Sequence, residues 1–137
     1  LDAWLRLSGE ASSMANKASV GHSLMSRKII EALLDRIRQQ SKSPRVGILG
    51  LTYNPGALDV TGSLGVALFQ ICHLIGWPVL AYDPAQEYLT LPFPASESLE
   101  VVVSSSNVLV VCTPWPDFEG AGVIENHPNV IKAWGAL

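Results

Sequence analysis

The run Arg45 to Asn54, Arg-Val-Gly-Ile-Leu-Gly-Leu-Thr-Tyr-Asn, constrains the fold of this chain more than any other stretch. An apolar, β-branched strand from Val46 to Leu51 breaks around Gly50 into a polar loop that contains Asn54-Pro55-Gly56. A helix follows from about Ser63, whose hydroxyl suits the N-cap position. Strand, glycine and helix N-terminus in that order offer backbone N–H groups and a helix dipole to an anion, and many α/β folds hold nucleotide phosphates this way. The glycines read G-x-x-G, so the dinucleotide fingerprint G-x-G-x-x-G is not met. Gly47 and Gly50 serve either close approach of a phosphate or close packing of strand on helix.

The same alternation continues along the chain. Before the first strand, Met25, Ile29, Ile30, Leu33, Leu34 and Ile37 recur at helical spacing, opposite a face of Arg27, Lys28, Glu31, Asp35, Arg36 and Arg38. The stripe predicts a helix over 23–40, its apolar face serving as core or as a partner interface. Residues 39–44, with Ser41, Ser43 and Pro44, form the best linker candidate. Residues 1–22 show no sustained periodicity and are expected to be helical only in part.

Beyond the linker, strands are expected at Val46–Leu51, Pro78–Tyr82, Asn107–Cys112 and Asn129–Ile131. Helices are expected near 63–75, 98–105 and 123–124, with Gly76 as the stop of the first. Near-continuous apolar strands separated by helices imply a parallel sheet covered on both faces. The expected fold is therefore an α/β, Rossmann-like, doubly wound parallel sheet preceded by a long N-terminal helix. Its division is 1–44 for the segment and connecting helix and 45–137 for the sheet domain. Ligands of such sheets bind beyond the carboxyl ends of the strands. Here those ends carry the loops Thr52–Thr61, Asp83–Ala85 and Thr113–Phe118.

Composition narrows the function classes. At 137 residues, 48% hydrophobic and 15% charged, the chain is long and apolar enough for one real core. A formal net charge of -3 gives no electrostatic reason to expect nucleic acid or an anionic membrane as partner. No apolar stretch approaches the roughly 20 residues that span a bilayer, and no secretory signal pattern opens the sequence. Cys72 and Cys112 lie in apolar segments without metal-ligand spacing, so they read as buried thiols of an intracellular, cytoplasmic protein. His22, His73 and His127 are too scattered to form a metal site and read as structural or solvated.

Three motifs in register carry a resemblance. Val46 to Tyr53 followed by Pro55, Asp59 and Ser63, then Tyr82-Asp83-Pro84, then Thr113-Pro114-Trp115-Pro116-Asp117-Phe118, resemble the C-terminal, UDP-binding domain of the UDP-glucose/GDP-mannose dehydrogenase family. The match covers about residues 45–137. The resemblance implies a Rossmann-like domain that closes over a UDP-sugar and helps position it for NAD-dependent oxidation of the sugar C6 alcohol to a carboxylate through a cysteine-linked intermediate. It places NAD and the cysteine mainly on an N-terminal domain outside these residues, and neither Cys72 nor Cys112 has the glycine-rich context of that nucleophile. The implied partners are the UDP-sugar or a similar nucleotide, the N-terminal and central dehydrogenase domains, to which the 23–40 helix would connect, and a second copy in a homodimer. Tyr53, Asn54 and Thr61 are the implied substrate contacts. Gly50, Asp59 and Ser63 organise their loop, and Trp115 covers a base, meets another domain or packs on the sheet edge.

The chain also departs from the family pattern. Where the family loop reads Phe-Lys-Pro-x-Thr-x-Asp-x-Arg-x-Ser, the lysine position is Asn54, the threonine position Ala57 and the arginine position Thr61. Near the end, Lys132-Ala133-Trp134-Gly135 replaces an Asp-x-x-Arg-like segment. Charge-assisted hydrogen bonds contribute about 1.5–3 kcal/mol each, so losing two or three weakens phosphate binding by about two to six orders of magnitude. Two alternatives stand beside the dehydrogenase reading. One is a non-catalytic interaction or regulatory module that kept the fold without nucleotide binding. The other is a binder of another nucleotide, NAD or coenzyme A. Asp83 reads as a turn-stabilising residue before Pro84 or as a ribose ligand.

Overall fold

A computed structural model describes residues 24–95 and 97–135 of the chain, side chains at 24–26 and 135 apart. The expectation for residues 1–22, His22 included, lies outside the described residues, as does the side chain of Met25. Four short strands form one parallel sheet: β1 (Val46–Leu49), β2 (Val79–Tyr82), β3 (Val108–Val111) and β4 (Val130–Lys132). Their spatial order is β2-β1-β3-β4, so the chain winds outward from β1 in both directions. The helices are α1 (Leu24–Gln40), α2 (Leu64–Ile75), α3 (Leu99–Ser105) and α4 (Gly122–Glu125).

Alternation along each strand builds two cores. Val46, Ile48, Val108, Val110 and Ile131 face α1 and α2, where Ile30, Leu33, Ile37, Leu68 and Ile71 are buried with them. Leu49, Leu109 and Val111 face the other way, against Val102 of α3, Ile124 of α4 and Phe118. The sheet is thus covered on both faces. Helix α1 packs its apolar stripe into the first core, with Leu33 and Ile37 wholly buried, which answers the open choice for that face in favour of core. Burying each such side chain contributes about 1.5–3 kcal/mol.

The helix ends follow their local chemistry. Ser63 Oγ accepts from the Val66 N–H, and Ser98 Oγ accepts from the Val101 N–H. Gly76 ends α2 with φ +96, and its N–H reaches the carbonyls of Cys72 and His73. The linker candidate is pinned: Asn107 Oδ1 accepts from the Arg45 N–H at 2.7 Å while Nδ2 donates to Ser41 Oγ and the Ser43 carbonyl. His127 Nδ1 accepts from the Asn129 N–H, so Nε2 carries the proton it gives to the Ser106 carbonyl at 2.8 Å. That neutral tautomer gives His127 a structural role at the amino end of the sheet.

Two glycines are fixed by space. A Cβ on Gly47 would stand 2.5 Å from Ser106 Oγ and 2.7 Å from Leu109 Cδ2. A Cβ on Gly65 would run into the Gly50 carbonyl oxygen, a backbone atom that cannot rotate away. Close packing of strand on helix is therefore what these glycines provide. Gly65→Ala is expected to destabilise the protein by about 2–3 kcal/mol in urea unfolding, since overpacking here forces α2 off the sheet.

Candidate functional site

The candidate site is built on one buried carboxylate. Asp83 follows β2 and is fully buried. Its Oδ2 accepts from the Leu51 N–H at 2.7 Å and from Trp115 Nε1 at 3.0 Å, while Oδ1 accepts from the Ala85 N–H at 2.8 Å. One side chain therefore ties together the loops after β1, β2 and β3. A second clasp, from Thr113 Oγ1 to the Thr52 carbonyl at 2.7 Å, joins the loops after β3 and β1. Gly50 lies between them with φ +101, where a Cβ would stand 2.5 Å from the Thr113 backbone nitrogen. With both oxygens occupied by protein donors, Asp83 organises the turn, and the ribose role left open above does not fit its surroundings.

This clasp also corrects the expected extent of β1. The apolar run reaches Leu51, which is fully buried, but the ladder stops at Leu49. Gly50 turns to positive φ and the Leu51 N–H goes to Asp83 instead of a neighbouring strand.

The sequence-derived contacts lie on the loop above this floor. Tyr53, Asn54 and Thr61 are all exposed, Tyr53 to 62%. The loop closes on itself: the Tyr53 N–H donates to the Asp59 carbonyl at 3.4 Å, and Thr52 Oγ1 and the Ala57 N–H both reach the Asn54 carbonyl. Asp59 Oδ1 accepts from the Thr61 N–H at 2.9 Å. That bond, followed by one from the Thr61 hydroxyl, holds the Asp59 carboxyl below its ordinary pKa. Asp59 thus links Tyr53 with Thr61, and Thr61 serves the loop as much as any ligand. Ser63 stands at the loop's far end, nearly buried beneath it.

Trp115 is partly buried and packs against the second core, its indole nitrogen turned inward to Asp83. Thr113, like Asp83, was not among the site residues expected from sequence. The signal for Asp83 is its place directly after an apolar strand and before a proline. Thr113 carries the same mark, following the apolar run that ends at Cys112 and preceding Pro114.

Neither cysteine is disposed to act as a nucleophile. Cys72 is buried on the inner side of α2, and burial, then the nearby Cys112, pushes its thiol far up. Burial alone pushes Cys112 up to about 12. Asp83→Ala leaves three inward N–H groups without their acceptor and is expected to cost at least about 3 kcal/mol, against about 1 kcal/mol for Trp115→Phe, in urea unfolding. Both thiols are expected to resist Ellman's reagent at pH 8 until the protein unfolds. Because the folded thiols titrate above their ordinary value of 9.0, their contribution to stability is fully present below that pH. It is lost as pH rises from about 9 toward 12, which alkaline unfolding curves would register.

No family profile matches the chain. A UDP-glucose 6-dehydrogenase of Haloferax volcanii is 31% identical over 94 residues, which cover 64% of this chain and 22% of that protein. Among solved structures, a UDP-N-acetyl-mannosamine dehydrogenase of Staphylococcus aureus superposes with a TM-score of 0.63 at 17% identity, covering 82% of this chain and 27% of that one. A GDP-mannose dehydrogenase of Pseudomonas aeruginosa gives 0.61 at 20% identity, over 79% of this chain and 27% of that one. The chain therefore spans less than a third of the length of each of these relatives. In sequence and in fold it is similar to the C-terminal domain of the UDP-glucose/GDP-mannose dehydrogenase family.

Proposed function

We propose that residues 45–137 form the nucleotide-sugar-binding domain of an NAD-dependent UDP-sugar 6-dehydrogenase-like protein, with 1–44 as a leading segment and connecting helix. The domain closes over the UDP-sugar and helps to hold it while the C6 alcohol is oxidised. The observation that carries this reading is the Asp83 clasp, which gathers three strand-end loops into one rigid floor beneath Tyr53, Asn54 and Thr61. Asp59 orders the loop and Trp115 borders it. These residues supply position only. Both thiols are buried, so the oxidised sugar's covalent partner belongs to residues elsewhere in the protein.

NAD enters this reading through the family resemblance. The chain's own residues do not suit it: Asp83 is fully engaged, and the G-x-x-G of β1 is packed by Ser106, Leu109 and Thr113. When bound, NAD accepts the hydride, and it would be held by another domain. We place the protein in the cytoplasm, as a homodimer in its complete form. Among the described residues no helix is long and apolar enough to cross a membrane.

A second reading has one observation in its favour. The positions where the family carries lysine and arginine are Asn54 and Thr61, so a non-catalytic module that kept the fold is the competing outcome. Titration of the labelled protein with UDP-glucose, followed by NMR, separates the two. The dehydrogenase reading expects shifts in the Tyr53–Thr61 amides and the Trp115 indole, with binding weakened at least about tenfold by Asn54→Ala or Thr61→Ala. No shift at millimolar ligand would favour the module.

A further inference from the structure

The charge around the candidate site is unusual for one that takes a diphosphate. From Val46 to Ile131 the chain contains no Lys or Arg, while the same span carries eight Asp and Glu residues. Lys132 is the single cation beyond Arg45. It ends β4 opposite Val111, with Nζ 6.0 Å from the centre of the Trp134 ring.

Backbone groups carry no net charge to offset this deficit, and those at the first helix after β1 are partly taken up. The N-terminus of α2, where a Rossmann-like fold would cradle phosphate, is narrowed by its own chain. The Ser63 N–H donates to the Val60 carbonyl, Ser63 Oγ takes the Val66 N–H, and Gly65 is pressed on the Gly50 carbonyl. The loop leading there carries Asp59 as an ionised carboxylate. At the end of β2, Tyr82 senses the same field. Its hydroxyl is pushed up first by burial and then by Asp117, Glu100 and Asp83.

The strand ends are instead rich in exposed rings. Tyr53 follows β1, Tyr88 follows β2 and Trp134 follows β4, exposed to 62%, 68% and 55%, and Trp115 follows β3. An aromatic face stacks on a base for about 1–3 kcal/mol without any charge. We propose that this edge recognises the nucleoside part of its ligand through aromatic faces and gives the diphosphate no net attraction. The inference rests on the nucleotide-sugar reading above and specifies what part of the ligand this domain holds. Neutralising the phosphates then falls to cations outside residues 46–137.

Isothermal titration of the 137-residue chain with uridine and UDP, at about 20 and about 300 mM NaCl, tests it. The expected result is affinities for uridine and UDP within about threefold of each other, changing less than about twofold with salt. The exposed-ring double variant Tyr53→Ala, Trp134→Ala should weaken both ligands at least about fivefold, and Lys132→Ala should weaken neither by more than about twofold. UDP binding more than about threefold tighter than uridine and weakening with salt, or a loss confined to UDP in Lys132→Ala, overturns the inference and leaves the nucleotide-sugar reading standing. Binding of neither ligand overturns both.

Discussion

Asp83 is a carboxylate without access to water, a placement tolerated only where protein donors replace the lost solvation. Here they do: two backbone N–H groups and an indole N–H converge on its two oxygens. Each donor belongs to a different strand-end loop, so satisfying the charge fixes the relative position of the loops. The Leu51 N–H leaves the sheet for it, and β1 ends two residues short of its apolar run. Gly50 must then turn through positive φ, and Thr113 fills the space that a Cβ there would need. The Thr113 hydroxyl finds its own acceptor in the adjoining Thr52 carbonyl. A single buried charge thus sets the floor on which any ligand would rest.

The two ends of the sheet are closed by different chemistry. At the amino end, Asn107, His127 and Asn129 exchange neutral hydrogen bonds with neighbouring backbone, fastening the turn into β1 and the entry to β4. At the carboxyl end a charged group does the fastening, and the residues above it remain in solvent. This polarity separates structural from adaptable positions. Tyr53, Asn54 and Thr61 have exposed side chains and are free to vary without disturbing the core. Leu51, Thr52, Asp83 and Thr113 are buried and are not.

The strands were legible because parallel strands buried on both faces leave apolar runs that few other elements produce, as in Val108 to Val111. Helices α1 and α2 were legible from period and caps together: Ser63 and Gly76 mark both ends of α2. What the sequence could not show was the destination of hydrogen bonds. Leu51 looks like strand because it is apolar, yet its N–H serves a side chain 32 positions away. Asn107 looks like the start of a strand and is the latch that holds 41–45. At the site, the ordering role of Asp59 was legible because its partner Thr61 lies two positions away in the same loop. The Asp83–Trp115 pair was not, because no local pattern announces a contact between separate crossovers.

The fold has no structural need of cations in the loop after β1, for a simple physical reason. Asn54 and Thr61, which the resemblance sets against a lysine and an arginine, are exposed side chains, so neither cation would add a buried contact. Stability therefore exerts little pressure to keep them, whereas the Asp83 clasp, Gly50 and Gly65 are held by packing and by unsatisfied donors that would follow their loss. Fold similarity to the dehydrogenases consequently reports on the floor and not on what stands above it. On the proposed reading, the ligand preference of this domain falls to the few exposed residues of the strand-end loops. Their content here is aromatic and acidic, with Lys132 as the sole cation. Under the nucleotide-sugar reading proposed above, such a domain contributes shape and stacking, and the charge balance of the phosphates is left to whatever part of the protein faces it.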